Sequence, residues 1–208
     1  MSLESAGSDV DPNRSLAQPE GSTHGKSTAG SMTGRSWLRR IALAPMEADR
    51  RRGLLVAGGL RIPCALGRAG IVHLKREGDG ATPVGRLALL AAFYRADRLR
   101  RPATALPLFP LRPEIGWCDD PADRRYNRAV RLPFKASHER LWRSDHLYDV
   151  VVILDYNLAR PRRGAGSAIF LHVASPGFSP TEGCVAISLP AMLRLLARSG
   201  PGTFLDVA

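Results

Sequence analysis

From Leu54 onward the chain is written in short apolar runs that glycine keeps interrupting. Leu54-Leu55-Val56-Ala57, Arg61 to Leu66 and Gly70-Ile71-Val72-His73-Leu74 are separated by glycines at 58, 59, 67 and 70. Runs this short suit strands of about 4–8 residues, not helices of ten or more. Tyr148 to Tyr156 (YDVVVILDY) is the strongest of them, β-branched through its middle, and reads as a central strand. Leu87 to Tyr94 reads as a strand buried on at least one face, and Thr203 to Val207 as a closing strand. A first hairpin is expected to close around Gly67-Arg68-Ala69-Gly70. Helical spacing is confined to Leu189, Met192, Leu193 and Leu196, with Ser188 as N-cap, Pro190 in the first turn and Gly200-Pro201 as the stop. Ser137 to Trp142 reads as a second short helix. The expected fold class is therefore mainly β: a curved sheet or β-sandwich with one or two short helices.

The chemistry concentrates between Ile169 and Ser188. One apolar run delivers His172, a loop rich in Pro and Gly follows, and Thr181-Glu182-Gly183-Cys184 leads into the apolar run Val185 to Ile187. Two short strands joined by such a loop can bring an imidazole and a thiol into one cleft. That pair suffices for nucleophilic catalysis: the imidazole takes the S–H proton and the thiolate attacks a carbonyl. Gly183 lets backbone N–H groups approach the carbonyl oxygen, so the N–H groups of Gly183 and Cys184 are the expected oxyanion donors. The second imidazole nitrogen needs a partner to fix its tautomer; with no Asp or Asn adjacent, the Val173 carbonyl is the expected one.

These residues resemble the YkuD-type L,D-transpeptidase family. The resemblance rests on His172 at a strand end, the turn of the form [Ser/Thr]-x-Gly-Cys, the strand after it, and the upstream Lys75-Arg76-Glu77-Gly78-Asp79-Gly80-Ala81-Thr82-Pro83-Val84-Gly85-Arg86. It covers about Leu54 to Ala208 and is closest to the branch with a short His-to-Cys loop. Two positions depart from the family pattern: Glu182 replaces a second histidine, and Ala186 stands where an arginine is usual. What the resemblance implies is acyl transfer on peptidoglycan stem peptides containing meso-diaminopimelate. A Cys184 acyl-enzyme would be resolved by an amine to give a 3→3 cross-link, with no cofactor. The alternatives are an L,D-carboxypeptidase with water as acceptor, or a wall-binding module that keeps the fold without catalysis. His146 is expected near the thiol in this branch, and Thr181 joins the substrate-binding set.

The sequence of 208 residues carries a formal charge of +11, spread as arginine doublets such as Arg100-Arg101 and Arg162-Arg163. No dense basic block or nucleic-acid signature accompanies the charge, so solvated faces or a basic cleft are expected and nucleic acid is not. Glu114 to Pro121, with Tyr126 and Asn127 after it, could wall a substrate cleft, Trp117 packing and Asp119 holding an amine. Three cysteines allow at most one disulfide; Cys64 reads as core, and acids beside Cys118 oppose its thiolate. No Cys-x-x-Cys pair supports a metal site. Residues 1–36, rich in Ser, Gly and Thr, are expected to be a disordered tail, residues 37–53 a linker, and residues 54–208 the catalytic domain. The tail does not read as a secretory signal, and Trp37 to Ala44 is too short and charged to span a membrane. The resemblance nevertheless implies the periplasm or cell envelope. A monomer is expected.

Overall fold

The structure is a computed structural model that describes residues 37–208; the tail expected over residues 1–36 lies outside the described residues. Nine strands form one sheet: β1 (Arg40–Met46), β2 (Asp49–Ala57), β3 (Leu60–Ala65), β6 (Gly85–Tyr94), β7 (Leu108–Pro110), β11 (Val150–Leu154), β12 (Phe170–Val173), β13 (Val185–Ile187) and β14 (Phe204–Val207). Their spatial order is β11-β12-β13-β3-β2-β1-β14-β6-β7, and β11 pairs with β6 as well. The sheet thus closes on itself, with β7 continuing along β6. Closure removes most of the exposed edges that an open sheet would leave. A three-stranded sheet, β8 (Ile115–Cys118), β9 (Arg128–Arg131) and β10 (His138–Arg140), and a parallel pair, β4 (Ile71–Val72) with β5 (Thr82–Pro83), complete the β structure. The one helix among the described residues is α1 (Leu189–Leu196). The mainly β class with a curved sheet is as the sequence indicates.

Two cores divide the side chains of the closed sheet. Val150, Val152 and Leu154 join Ile41, Leu55, Leu171 and Ile187 in the larger core, which α1 also lines through Met192 and Leu195. Val151 and Ile153 point the other way, into a second core with Phe93, Trp117, Leu141 and Phe170. A strand buried on both faces has no polar side to display, which is why YDVVVILDY shows no alternation. The α1 stripe holds in part: Met192 and Leu196 are buried, while Leu189 and Leu193 pack at the rim. Ser188 precedes the helix without a side-chain capping bond.

Three local readings change. The expected linker, residues 37–53, contains β1 and the start of β2; Ile41 and Leu43 are 0% and 1% exposed and β1 pairs with both β2 and β14. Flanking arginines masked that short alternating pattern. The hairpin expected around Gly67–Gly70 is absent, since β3 pairs with β2 and β13 and not with β4; β3 follows β2 through Gly58 and Gly59, whose φ values of +50° and +83° suit a tight turn. The Gly67–Gly70 loop buttresses a distant segment through Gly67 and Thr181. Finally, Ser137–Trp142 is not helical: His138, Glu139 and Arg140 pair with Cys118, Trp117 and Gly116, so cross-strand pairing overrides the local pattern.

Candidate active site

The parallel register of β12 and β13 sets Leu171 opposite Val185 and His172 opposite Ala186. Side chains two apart on a strand share a face, so Phe170 and His172 lie on the same side of the sheet as Cys184 and Ala186. That side is the second core, where Cys184 packs with Phe170 and Tyr148. The imidazole and the thiol are therefore diagonal neighbours on adjacent strands.

Each is held by backbone. Cys184 Sγ accepts the Phe170 N–H at 3.3 Å and donates to the Ala168 carbonyl at 3.1 Å. His172 Nδ1 lies 2.9 Å from the Val173 carbonyl, the partner anticipated from the sequence. A carbonyl can only accept, so Nδ1 carries the hydrogen and the lone pair of the neutral ring sits on Nε2. Tyr148 stacks edge-on against the His172 ring with centroids 5.2 Å apart and an interplanar angle of 90°.

Burial dominates the protonation of both groups. His172, 5% exposed, is lowered from 6.5 to about 4 by loss of solvent, against the opposing pull of the Val173 and Leu147 carbonyls. Cys184, 8% exposed, is pushed up to about 12 by burial and by Glu139, against the Phe170 N–H and the Lys75 ammonium. At neutral pH the resting site is accordingly a neutral thiol beside a neutral imidazole. Burial also pushes the Tyr148 phenol up, reinforced by Cys184 and by Glu139, with which it shares a hydrogen bond.

The turn before the cysteine is pinned from two sides. Thr181 N–H donates to the Leu66 carbonyl and Arg68 N–H to the Thr181 carbonyl, each at 2.9 Å. Thr181 Oγ1 donates to the Cys184 carbonyl at 2.7 Å and accepts the Gly183 N–H at 3.2 Å. The Gly183 N–H, expected as an oxyanion donor, is thus engaged inside the turn. Gly183 has φ +134°, and a Cβ there would lie 2.6 Å from the Ala81 carbonyl oxygen; no larger residue fits without displacing the upstream segment. Glu182 points outward and pairs with Arg68, while Ala186 is buried between its partners His172 and Ala65.

The expected cleft wall is largely core. Trp117, 1% exposed, donates its indole N–H to Asn127 Oδ1 at 2.8 Å and packs edge-on against Phe170. Asn127, also 1% exposed, accepts the Ala168 N–H and donates to the Tyr156 and Asn157 carbonyls. Its side-chain amide thus ties the Trp117 indole and the Tyr156 and Asn157 carbonyls to the N–H of Ala168, whose carbonyl in turn accepts the thiol. Tyr126 is buried and bonds to Glu77. Trp117 and Asn127 are therefore packed within the core and do not line a cleft. Asp119 is half-buried with one carboxylate oxygen buried and unpartnered. His146 has a 79% exposed side chain and pairs with Asp149 at 2.7 Å.

Sequence reasoning overlooked several contributors. Glu77 accepts the Ser167 hydroxyl at 2.8 Å as well as Tyr126, and Lys75, its side chain 3% exposed, pairs with Asp79 at 2.5 Å. The alternating charges of Lys75-Arg76-Glu77-Gly78-Asp79 were the available signal, but their partners lie up to 90 residues away. All three cysteines are free and buried. Burial comes before the neighbouring acids in raising Cys118. Among the described residues no group of three or more His, Cys, Asp or Glu is placed to hold a metal.

The closed β fold thus places His172 on β12 and Cys184 just before the neighbouring parallel strand β13, on one face of the sheet. The family model of the YkuD L,D-transpeptidase catalytic domain matches residues 47–207, and the chain belongs to that family. Comparison with curated proteins and with solved structures gives no match. No helix among the described residues is long and apolar enough to cross a membrane.

Proposed function

We propose that the domain is a cysteine-dependent acyltransferase that forms 3→3 cross-links between peptidoglycan stem peptides in the cell envelope, acting as a monomer. The observation that carries this reading is the Nδ1 contact of His172 with the Val173 carbonyl, which leaves Nε2 basic on the face shared with Cys184. Nε2 takes the thiol proton as Sγ bonds to the carbonyl carbon of meso-diaminopimelate in a tetrapeptide stem. The Cys184 N–H stabilises the oxyanion, Gly183 being engaged with Thr181. The C–N bond breaks, His172 returns the proton to the departing D-Ala amine, and a thioester remains. The side-chain amine of a second stem then gives its proton to His172, attacks the thioester and releases the thiol. Water in that place would make a carboxypeptidase.

The thiol's burial and its bond to the Ala168 carbonyl favour a second reading, a wall-binding module without catalysis. Mass spectrometry of the protein incubated with tetrapeptide stems separates the cases. Cross-linked dimer with loss of D-Ala supports transfer, tripeptide alone supports hydrolysis, and unchanged stems support binding. Cys184→Ala must abolish either product.

A further inference from the structure

Beyond the thiol site, a cavity of about 130 Å³ is lined by Asp123, Arg124, Tyr126, Arg128, Pro161 and Arg163. Its only carboxylate is already neutralised: Asp123 is gripped in bidentate fashion by Arg125, at 3.0 and 3.1 Å, and is lowered to about 2 chiefly by that contact. Arg125 is not among the lining residues. Arg124, Arg128 and Arg163 make no carboxylate salt bridge among the described residues. Arg128 bonds to its neighbour's carbonyl, Asn127, at 3.0 Å, and Arg163 reaches the Ala122 carbonyl at 3.4 Å. Arg128 is also partly buried, and burial alone lowers its pKa. A guanidinium taken partly out of water without an anion is unfavourable unless a ligand supplies the missing charge.

The geometry points to an oxyanion-binding site at this cavity, taking a carboxylate or phosphate group through the guanidiniums of Arg124, Arg128 and Arg163. A planar fork of N–H donors matches both groups, and the volume holds either one with bound water. The cavity is tied to the thiol site. Tyr126, which lines it, bonds to Glu77; Glu77 accepts the Ser167 hydroxyl; and the next residue, Ala168, accepts the Cys184 thiol. On the reading of the thiol site given above, on which the choice of stem peptide as one source rests, the anion is a free carboxylate of a stem or a phosphate of a wall polymer.

Calorimetric titration of the full chain with two probes, inorganic phosphate and a stem tripeptide with free carboxylates, tests this at constant ionic strength. Saturable binding of at least one probe is expected, weakened about tenfold by each of Arg124→Gln, Arg128→Gln and Arg163→Gln. Arg124 and Arg163 are exposed, so their variants keep the test decisive if Arg128→Gln loses fold by circular dichroism. Arginine-dependent binding of phosphate alone identifies a phosphate source; arginine-dependent binding of the tripeptide alone identifies a carboxylate source. No binding of either probe at millimolar concentration, or binding indifferent to all three substitutions, overturns the site. Binding in Cys184→Ala is read alongside: arginine-dependent binding there, with no product from wild-type protein, sinks the catalytic reading and leaves the anion site standing.

Discussion

The pH dependence of acylation follows directly from the burial of His172. With its pKa at about 4 and not the ordinary 6.5, about nine-tenths of the imidazole is in its basic form at pH 5.0, against about 3% for a solvent-like histidine. Acylation of Cys184 by a carbapenem, followed by intact-protein mass at quenched time points, is therefore expected to stay nearly level from pH 8 to pH 5. It should fall only as pH approaches 4. The thiol's own pKa of about 12 means that a spontaneously formed thiolate contributes little below pH 8, about a thousandfold less than for a thiol at 9. Replacing the base should thus lower the whole plateau: His172→Gln is expected to slow acylation by about 10²–10⁴. A rate that halves near pH 6.5, or a His172→Gln plateau equal to wild type, would refute the neutral-pair mechanism.

Three further outcomes are expected. Stability should carry the same signature: His172's folded pKa lies below its unfolded 6.5, so its contribution is whole above pH 6.5 and is lost as pH falls toward about 4. The loss reaches about 3 kcal/mol, and urea titrations across that window should show a slope that His172→Gln flattens. Gly183→Ala should destabilise by about 3 kcal/mol, because it forces an L-residue to φ +134° with its Cβ against the Ala81 carbonyl; a fall in urea midpoint with unchanged slope is the readout. Trp117→Phe removes the indole bond to Asn127 Oδ1 and should cost about 1–2 kcal/mol in the same assay. Because Trp117 is buried, its KM for stem peptide should be unchanged; a large rise would restore the cleft-wall role.

What the sequence disclosed and what it hid divide along physical lines. Short glycine-bounded runs, the doubly buried Tyr148–Tyr156 strand and the single helical stripe after Ser188 each encode local geometry, and each is present in the fold. The Val173 carbonyl was legible because a lone imidazole without a neighbouring acid must turn to backbone. Long-range pairing was not legible. Nothing local distinguishes Ser137–Trp142 as a strand, since its ladder partner β8 lies some twenty residues upstream. Trp117 and Asn127 looked like cleft residues because an aromatic beside acids and a proline suggests a surface loop; the indole–amide bond between them ties strand β8 to the turn that precedes β9. The role of Glu77 was hidden for the same reason: the hydroxyls it accepts, from Tyr126 and Ser167, come from elsewhere in the chain.

The account depends on sulfur chemistry at one position assisted by one ring. Peptide mapping of protein trapped with a carbapenem tests it most directly. A stoichiometric adduct on the peptide containing Cys184, absent from Cys184→Ala and formed far more slowly in His172→Gln, is the predicted result. An adduct on Cys64, Cys118 or a lysine, or an unmodified Cys184 after prolonged exposure of folded protein, would contradict it.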